Sequence, residues 1–186
     1  MPAARIYITS KNIICSTSAL LADNVDYCLL QMISSSFTNI IFLIARLLVS
    51  LLMLHHGLEK LADIDGFTTY IVDKYFSHLP FTHSYWTYLA AYTQIIGSFF
   101  LAIGTFTRLS LLGLSSTMLF ALLFHFSDTG LQGLPFGIVE AHNYEYEASL
   151  LYLLVYLILL AAGPGEYSLI NMVRNKISDL IFRWVV

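Results

Sequence analysis

The sequence predicts an all-α fold, an integral membrane four-helix bundle with amphipathic interfacial segments at both termini. Three observations predict it. Hydrophobic residues make up 58% of the 186 residues, charged residues only 11%, and the mean hydropathy is +0.73. Soluble domains carry roughly 25% charged residues, so much of this surface faces something other than water. Four apolar runs approach or exceed the length needed to cross a bilayer. The basic residues are also unevenly divided between the two sides those crossings would define. The balance of nine Lys+Arg against twelve Asp+Glu, with no basic stripe, argues against a nucleic-acid binder.

Residues 1–36 read as an N-terminal interfacial extension. Arg5, Lys11, Asp23 and Asp26 interleave with short apolar pieces, and Ser34–Ser36 close the segment. Ile13–Ala22 imitates a signal-peptide core, but Ser16, Thr17 and Ser18 break it and no clear cleavage site follows. Leu21, Val25, Leu29 and Met32 recur at helical spacing, predicting an uncleaved helix at the membrane surface. Cys15 and Cys28 form no CxxC pair and no zinc-ligand spacing, and read as packing residues.

Residues 37–167 hold the predicted spans, at about Thr38–Leu61, Ser84–Phe106, Leu109–Phe126 and Ala148–Ala162. A bilayer core takes about 20 apolar residues in a helix, so the fourth run is short unless its flanking turn joins it. The runs are continuous rather than alternating, which favours helices over barrel strands. Thr107-Arg108 reads as a tight turn. Residues 62–83 and 127–147 read as loops, the second too rich in glycine and proline for a fifth span. Gly163-Pro164-Gly165 ends the last span. Residues 168–186 form a C-terminal amphipathic segment, with Ile170, Val173, Ile177, Leu180, Ile181 and Trp184 on one face. It suits the headgroup region, or equally a partner protein.

With four spans, Arg5, Lys11, Arg108, Arg174, Lys176 and Arg183 share one side, and Lys60 and Lys74 lie on the other. Basic residues accumulate on the cytoplasmic face. Both termini are therefore expected to be cytoplasmic, or stromal, in a bacterial inner or thylakoid membrane.

All six histidines fall on the opposite side: His55, His56, His78, His83, His125 and His142. Glu140, Glu145 and Glu147 accompany them. His55 and His56 end the first span and His125 ends the third, so packed helices would bring them to one rim with Glu145 and Glu147. Imidazole and carboxylate together suit a metal, and imidazole hydrogen-bonds quinone carbonyls. The spacing matches no metal motif, and histidines at helix ends also sit simply in the wet interface.

A second set, Arg46, Lys60, Gln94 and Arg108, reads as a structural polar core. Arg46, Met53 and Lys60 recur every seven residues, so both cations are placed inward; the other reading has Arg46 reaching back to the headgroups. Gln94, in mid-span, needs a partner, and Arg46 is one candidate. Gly113, Thr117, Ala121 and His125 form a small-residue ridge that permits close helix approach. Glu145, Ser149, Tyr152 and Tyr156 form a polar-aromatic stripe facing the bundle. Tyr75, Tyr85, Trp86 and Tyr88 read as an aromatic belt; a pigment surface is the minority reading.

Leu43-Ile44-Ala45-Arg46-Leu47 with His56-Gly57-Leu58-Glu59-Lys60-Leu61 resembles the opening of the DoxX family. Ala90-Ala91-Tyr92-Thr93-Gln94-Ile95-Ile96-Gly97 and Ile103-Gly104-Thr105-Phe106-Thr107-Arg108-Leu109 resemble its central signature. Gly163-Pro164-Gly165-Glu166-Tyr167-Ser168-Leu169 resembles its closing motif, so the likeness covers about residues 38–170. The family usually has Glu where this chain has Gln94, and often Asp where it has Ile170. Gln keeps a hydrogen-bonding group but carries no proton at neutral pH.

The resemblance implies a four-helix membrane protein whose relatives include the membrane subunit of a thiosulfate:quinone oxidoreductase and components of oxidative-stress assemblies. The first expectation is an accessory, non-catalytic subunit of a larger respiratory or photosynthetic redox complex. The alternative is a quinone-linked oxidoreductase subunit, with His55, His56 or His125 on the quinone and Glu145 or Glu147 taking protons. A small-solute transporter ranks third, because the spans are uninterrupted and no inverted repeat is visible.

Overall fold

In the computed structural model the described residues are 8–9, 12–13, 22–130 and 144–173, with side chains from residue 35 onward. The contacts divide the chain into two units, residues 1–41 and 42–186. In the first, Ile8–Thr9 pairs antiparallel with Asn12–Ile13, the one exception to helix and turn among the described residues. Cys15, Glu140, His142 and the amphipathic run after Val173 lie outside the described residues, as do the side chains of Leu21, Val25, Cys28, Leu29 and Met32.

The helices are α1 (Ala22–Ala62), α2 (Ile64–Phe67), a π-helix (Thr68–Asp73), α3 (His83–Ile103), α4 (Thr107–Asp128), α5 (Glu145–Ala162) and α6 (Leu169–Val173). Four stretches are long and apolar enough to cross a membrane: Ser35–Ala62, His83–Ile103, Thr107–Asp128 and Glu145–Ala162. Only 22–33% of their most apolar windows is buried inside the protein. Leu51, Phe99, Leu109 and Leu151 are each at least 60% exposed. A surface of this kind is stable only against hydrocarbon, so the chain is a multi-pass integral membrane protein.

Four boundaries differ from the sequence reading. Helix α1 starts at Ala22 and runs unbroken through Ser34–Ser36, because serine in a helix interior is only mildly unfavourable. The turn after the second span is Gly104–Phe106, and Thr107 is already helical. Gly104 and Phe106 take left-handed conformations, with φ of 74° and 48°. Residues 62–83 are largely helical: Asp63 caps α2 by accepting from the Gly66 amide at 2.9 Å, and the π-helix follows directly. The fourth span gains Glu145–Glu147 from its flanking turn and reaches 18 residues. Two carboxylates in that first turn suit the positive end of the helix dipole.

Within residues 42–186 the helices close into a ring. At Gly57 of α1 an added Cβ would lie 2.7 Å from Ile95 and 3.0 Å from the Ala91 carbonyl, so glycine alone admits α3 this closely. Helix α4 packs against both α3 and α5. His56 of α1 meets the edge of Tyr152 on α5, ring centroids 6.1 Å apart. Met53, Leu101, Leu111, Leu114 and Tyr156 are fully buried at the centre.

Candidate functional site

The helices line a partly open chamber of about 630 Å³. Small residues on α4 make room for it: Gly113, Ser116, Thr117 and Ala121 form one wall, with His125 at its end. Met53, His56 and Lys60 of α1 form another, and Thr93 and Gln94 of α3 lie deep, with Trp86 and Leu89 on the same helix. Ser149 and Tyr152 complete the side of α5. The α2–π segment covers the chamber with Phe67, Ile71, Val72 and Phe76, joined by Leu79. The sequence reading missed these lining residues. Their signal is the recurrence of Ile64, Phe67, Ile71 and Phe76 at steps of three, four and five residues behind the Asp63 cap.

Three clasps hold this cover. The Thr68 and Thr87 hydroxyls share a buried hydrogen bond of 2.7 Å. Tyr75 donates to Asp128 at the end of α4, and His83 bonds Asp73. Lys74 lies 3.9 Å from Asp128, and hydrogen bonding to Tyr75 raises its pKa above the usual lysine value.

The predicted rim divides. His56 and His125 line the chamber; His55 and Glu147 are exposed outside it. Glu59 binds both neighbouring histidines, His55 Nε2 at 2.9 Å and His56 Nδ1 at 3.3 Å. Glu145 lies 3.6 Å from His125 Nδ1, close enough for charge attraction and too far for a hydrogen bond. His78 is exposed and apart. Among the described residues no three His, Cys, Asp or Glu side chains gather as a metal-holding group.

The predicted polar core also divides. Lys60 lines the chamber, donates to the His56 carbonyl at 3.2 Å and lies 5.0 Å from the Phe67 ring centroid. Gln94 is 2% exposed on the chamber wall. Arg46 is buried near the opposite end, where it donates to the carbonyls of Pro164 and, at 2.7 Å, Tyr167. It is not the partner of Gln94. Arg108 stands exposed in the first turn of α4, outside the polar core; Thr107 and Ser110 take the buried positions of that turn.

The closing motif is thus built around Arg46. Ser168 Oγ and Asn171 Nδ2 both donate to the Gly165 carbonyl, at 2.8 and 2.6 Å. A Cβ at Gly104 would lie 2.6 Å from Ser168 Cβ and 3.0 Å from Arg46 Nη1. Three stretches far apart in sequence meet there, and only glycine leaves the space.

Chemically, the chamber offers an apolar box with a cation and an imidazole on α1, an amide on α3 and a second imidazole on α4. Such a box accepts a ring or tail of moderate size carrying hydrogen-bond acceptors; small-molecule sites span roughly 300–1,000 Å³.

A four-span helical membrane bundle with an internal, mostly apolar chamber is the class these features define. The model of the DoxX family matches residues 41–127, which cover the first three spans and the chamber cover. Over this stretch the chain is similar to the DoxX family; α5 and the closing motif lie beyond the matched residues. No curated protein and no solved structure matches it.

Proposed function

We propose that this protein is the membrane subunit of a larger respiratory or photosynthetic redox assembly and that its chamber holds the headgroup of a quinone. One observation carries the reading: His56 and Lys60 on α1, Gln94 on α3 and His125 on α4 all line one apolar cavity of about 630 Å³. A subunit that only packs against partners needs no such internal space, which costs stability in a bundle otherwise free to close on itself. Donors on facing walls suit the two carbonyls of a quinone ring, and Trp86, Phe120 and Tyr152 supply aromatic contact.

Gln94 limits the role. Its amide presents a donor and an acceptor at the cavity wall without taking up a proton. Quinone binding is then this chain's task, and electron transfer belongs to a partner subunit. This keeps the protein non-catalytic alone, with both termini expected on the cytoplasmic side from the distribution of basic residues along the sequence.

The test is direct. A photoreactive ubiquinone analogue added to detergent-purified protein should label chamber residues, compete with unlabelled quinone, and weaken in His125→Ala and Lys60→Met. Labelling spread evenly over lipid-facing residues such as Leu109 and Leu151 sinks the quinone reading. Migration of the mildly extracted protein near its own mass on a native gel removes the subunit reading.

A further inference from the structure

Five buried side-chain atoms at the centre of the bundle have no hydrogen-bond partner among the described residues: Ser50 Oγ, Gln94 Oε1, Ser98 Oγ, Ser115 Oγ and Tyr156 OH. None of the five residues is more than 7% exposed. All four membrane helices contribute; helix register puts Ser50, Ser98, Ser115 and Tyr156 near one depth, with Gln94 one turn from Ser98 on the chamber side of α3. Gly57 lies against Gln94 and Gly104 against Arg46, which sets α1 antiparallel to α3 and brings Ser50 level with Ser98. Gly97 lies against Leu114, so Ser98 and Ser115 are neighbours across α3 and α4. Helices α4 and α5 are paired at His125 and Glu145. Ten residues back along α4 is Ser115 and eleven forward along α5 is Tyr156, the same level at 1.5 Å rise per residue.

Hydroxyls in membrane helices commonly escape this situation by bonding a carbonyl one turn back. Ser116, Thr117, Ser127 and Thr129 of this protein do so, to Gly113, Leu114, Leu123 and His125. The five central groups do not, and no lipid headgroup or bulk water reaches that depth. Buried polar groups left without protein partners are usually completed by ordered water.

We propose that this layer binds a cluster of ordered water molecules at the middle of the bundle, entered from the chamber past Gln94. The chemistry selects a small neutral ligand. Four hydroxyls and one amide oxygen supply donors and acceptors but no charge, and Arg46, one turn from Ser50 on α1, repels cations. Apolar Met53, Leu114 and Leu101 leave no polar contact for anything larger. The inference does not depend on the quinone reading, and it is tested on ligand-free protein.

Radiolytic hydroxyl-radical footprinting of the detergent-solubilised wild-type protein marks side chains that touch bound water. Tyr156 and Met53, both fully buried, should be modified. In parallel, Ser98→Ala, Ser115→Ala and Tyr156→Phe should each lower the melting temperature by about 2–4 °C, as expected when a satisfied hydrogen bond is removed. Were the groups dry, deleting them would relieve a desolvation cost, and the same variants would melt unchanged or higher. Unmodified Tyr156 and Met53, or variants of that kind, overturn the proposal. If a variant does not fold, labelling of the wild-type protein decides.

Discussion

The guanidinium of Arg46 donates to the carbonyl of Pro164, 118 residues further along the chain. Its second amino group reaches the Tyr167 carbonyl at 2.7 Å. One side chain from the first span thereby fixes the segment that follows the last. This does two things at once: it satisfies two backbone carbonyls of the segment after α5, and it gives a buried cation hydrogen-bonding partners. Arg46→Ala should cost about 2–4 kcal/mol through the two orphaned carbonyls. Arg46→Lys should recover little, because an ammonium lacks the planar fork that spans both oxygens. Thermal unfolding in detergent measures both, and a wild-type melting temperature for Arg46→Ala would refute the link.

Gly104 completes the same junction. Its φ of 74° disfavours any side chain, and a Cβ would overlap Ser168. Gly104→Ala should therefore destabilise by about 1–3 kcal/mol from backbone strain, with the overlap adding to it. Gly130, also at positive φ but with open space around it, is the control. Gly130→Ala should show the strain alone, so equal losses at the two glycines would remove the packing argument.

Much of this arrangement is legible in the sequence, and what is not has physical causes. The heptad spacing of Arg46, Met53 and Lys60 places all three inward, as the buried Arg46 and Met53 and the chamber-lining Lys60 agree. The Gly113–Thr117–Ala121–His125 ridge faces the bundle too, although its small residues open a chamber rather than only drawing helices together. The partner of Arg46 is not legible, since backbone carbonyls carry no residue-type signal and these lie at the far end of the chain. The chamber cover is hidden for another reason: a short α-helix running into a π-helix, with Gly66, Thr68 and Thr69 in it, lacks the length and propensity by which helices are recognised. Gln94 draws notice as a polar residue in an apolar run, yet its orphaned oxygen depends on three other helices.

The chamber makes a quantitative prediction for binding. Losing a hydrogen bond to a charged group costs roughly 1.5–3 kcal/mol, so Lys60→Met should weaken a quinone analogue by about 10–100-fold. Phe76→Ala, which only enlarges an apolar wall, should weaken it less. Binding titrations on purified protein check the order. Equal effects would mean that the ligand is held by area alone.

The cover should open more easily than the bundle it closes. Its exposed clasps, Tyr75 to Asp128 and His83 to Asp73, are surface interactions worth about 0.2–1 kcal/mol each. Removing both in Tyr75→Phe with Asp73→Asn should speed amide exchange over residues 64–76 by about fivefold. Exchange in the centre of α4 should stay unchanged. If the whole bundle speeds up together, the segment is an integral wall rather than a separately mobile cover.

Orientation in the membrane is open to a two-site measurement. Arg108 and Lys74 are both exposed, and the four-span arrangement sets them on opposite sides. The sequence reading assigns six basic residues to the side of Arg108 and two to that of Lys74, so the charge rule predicts Arg108 in the cytoplasm. In a Cys15→Ser, Cys28→Ser background, Arg108→Cys should react with a membrane-impermeant maleimide only in inverted vesicles, and Lys74→Cys only in right-side-out cells. The reverse pattern overturns the orientation while keeping the fold. Reaction of both from one side would contradict an odd number of crossings between them, and with it the assignment of α3 as a span.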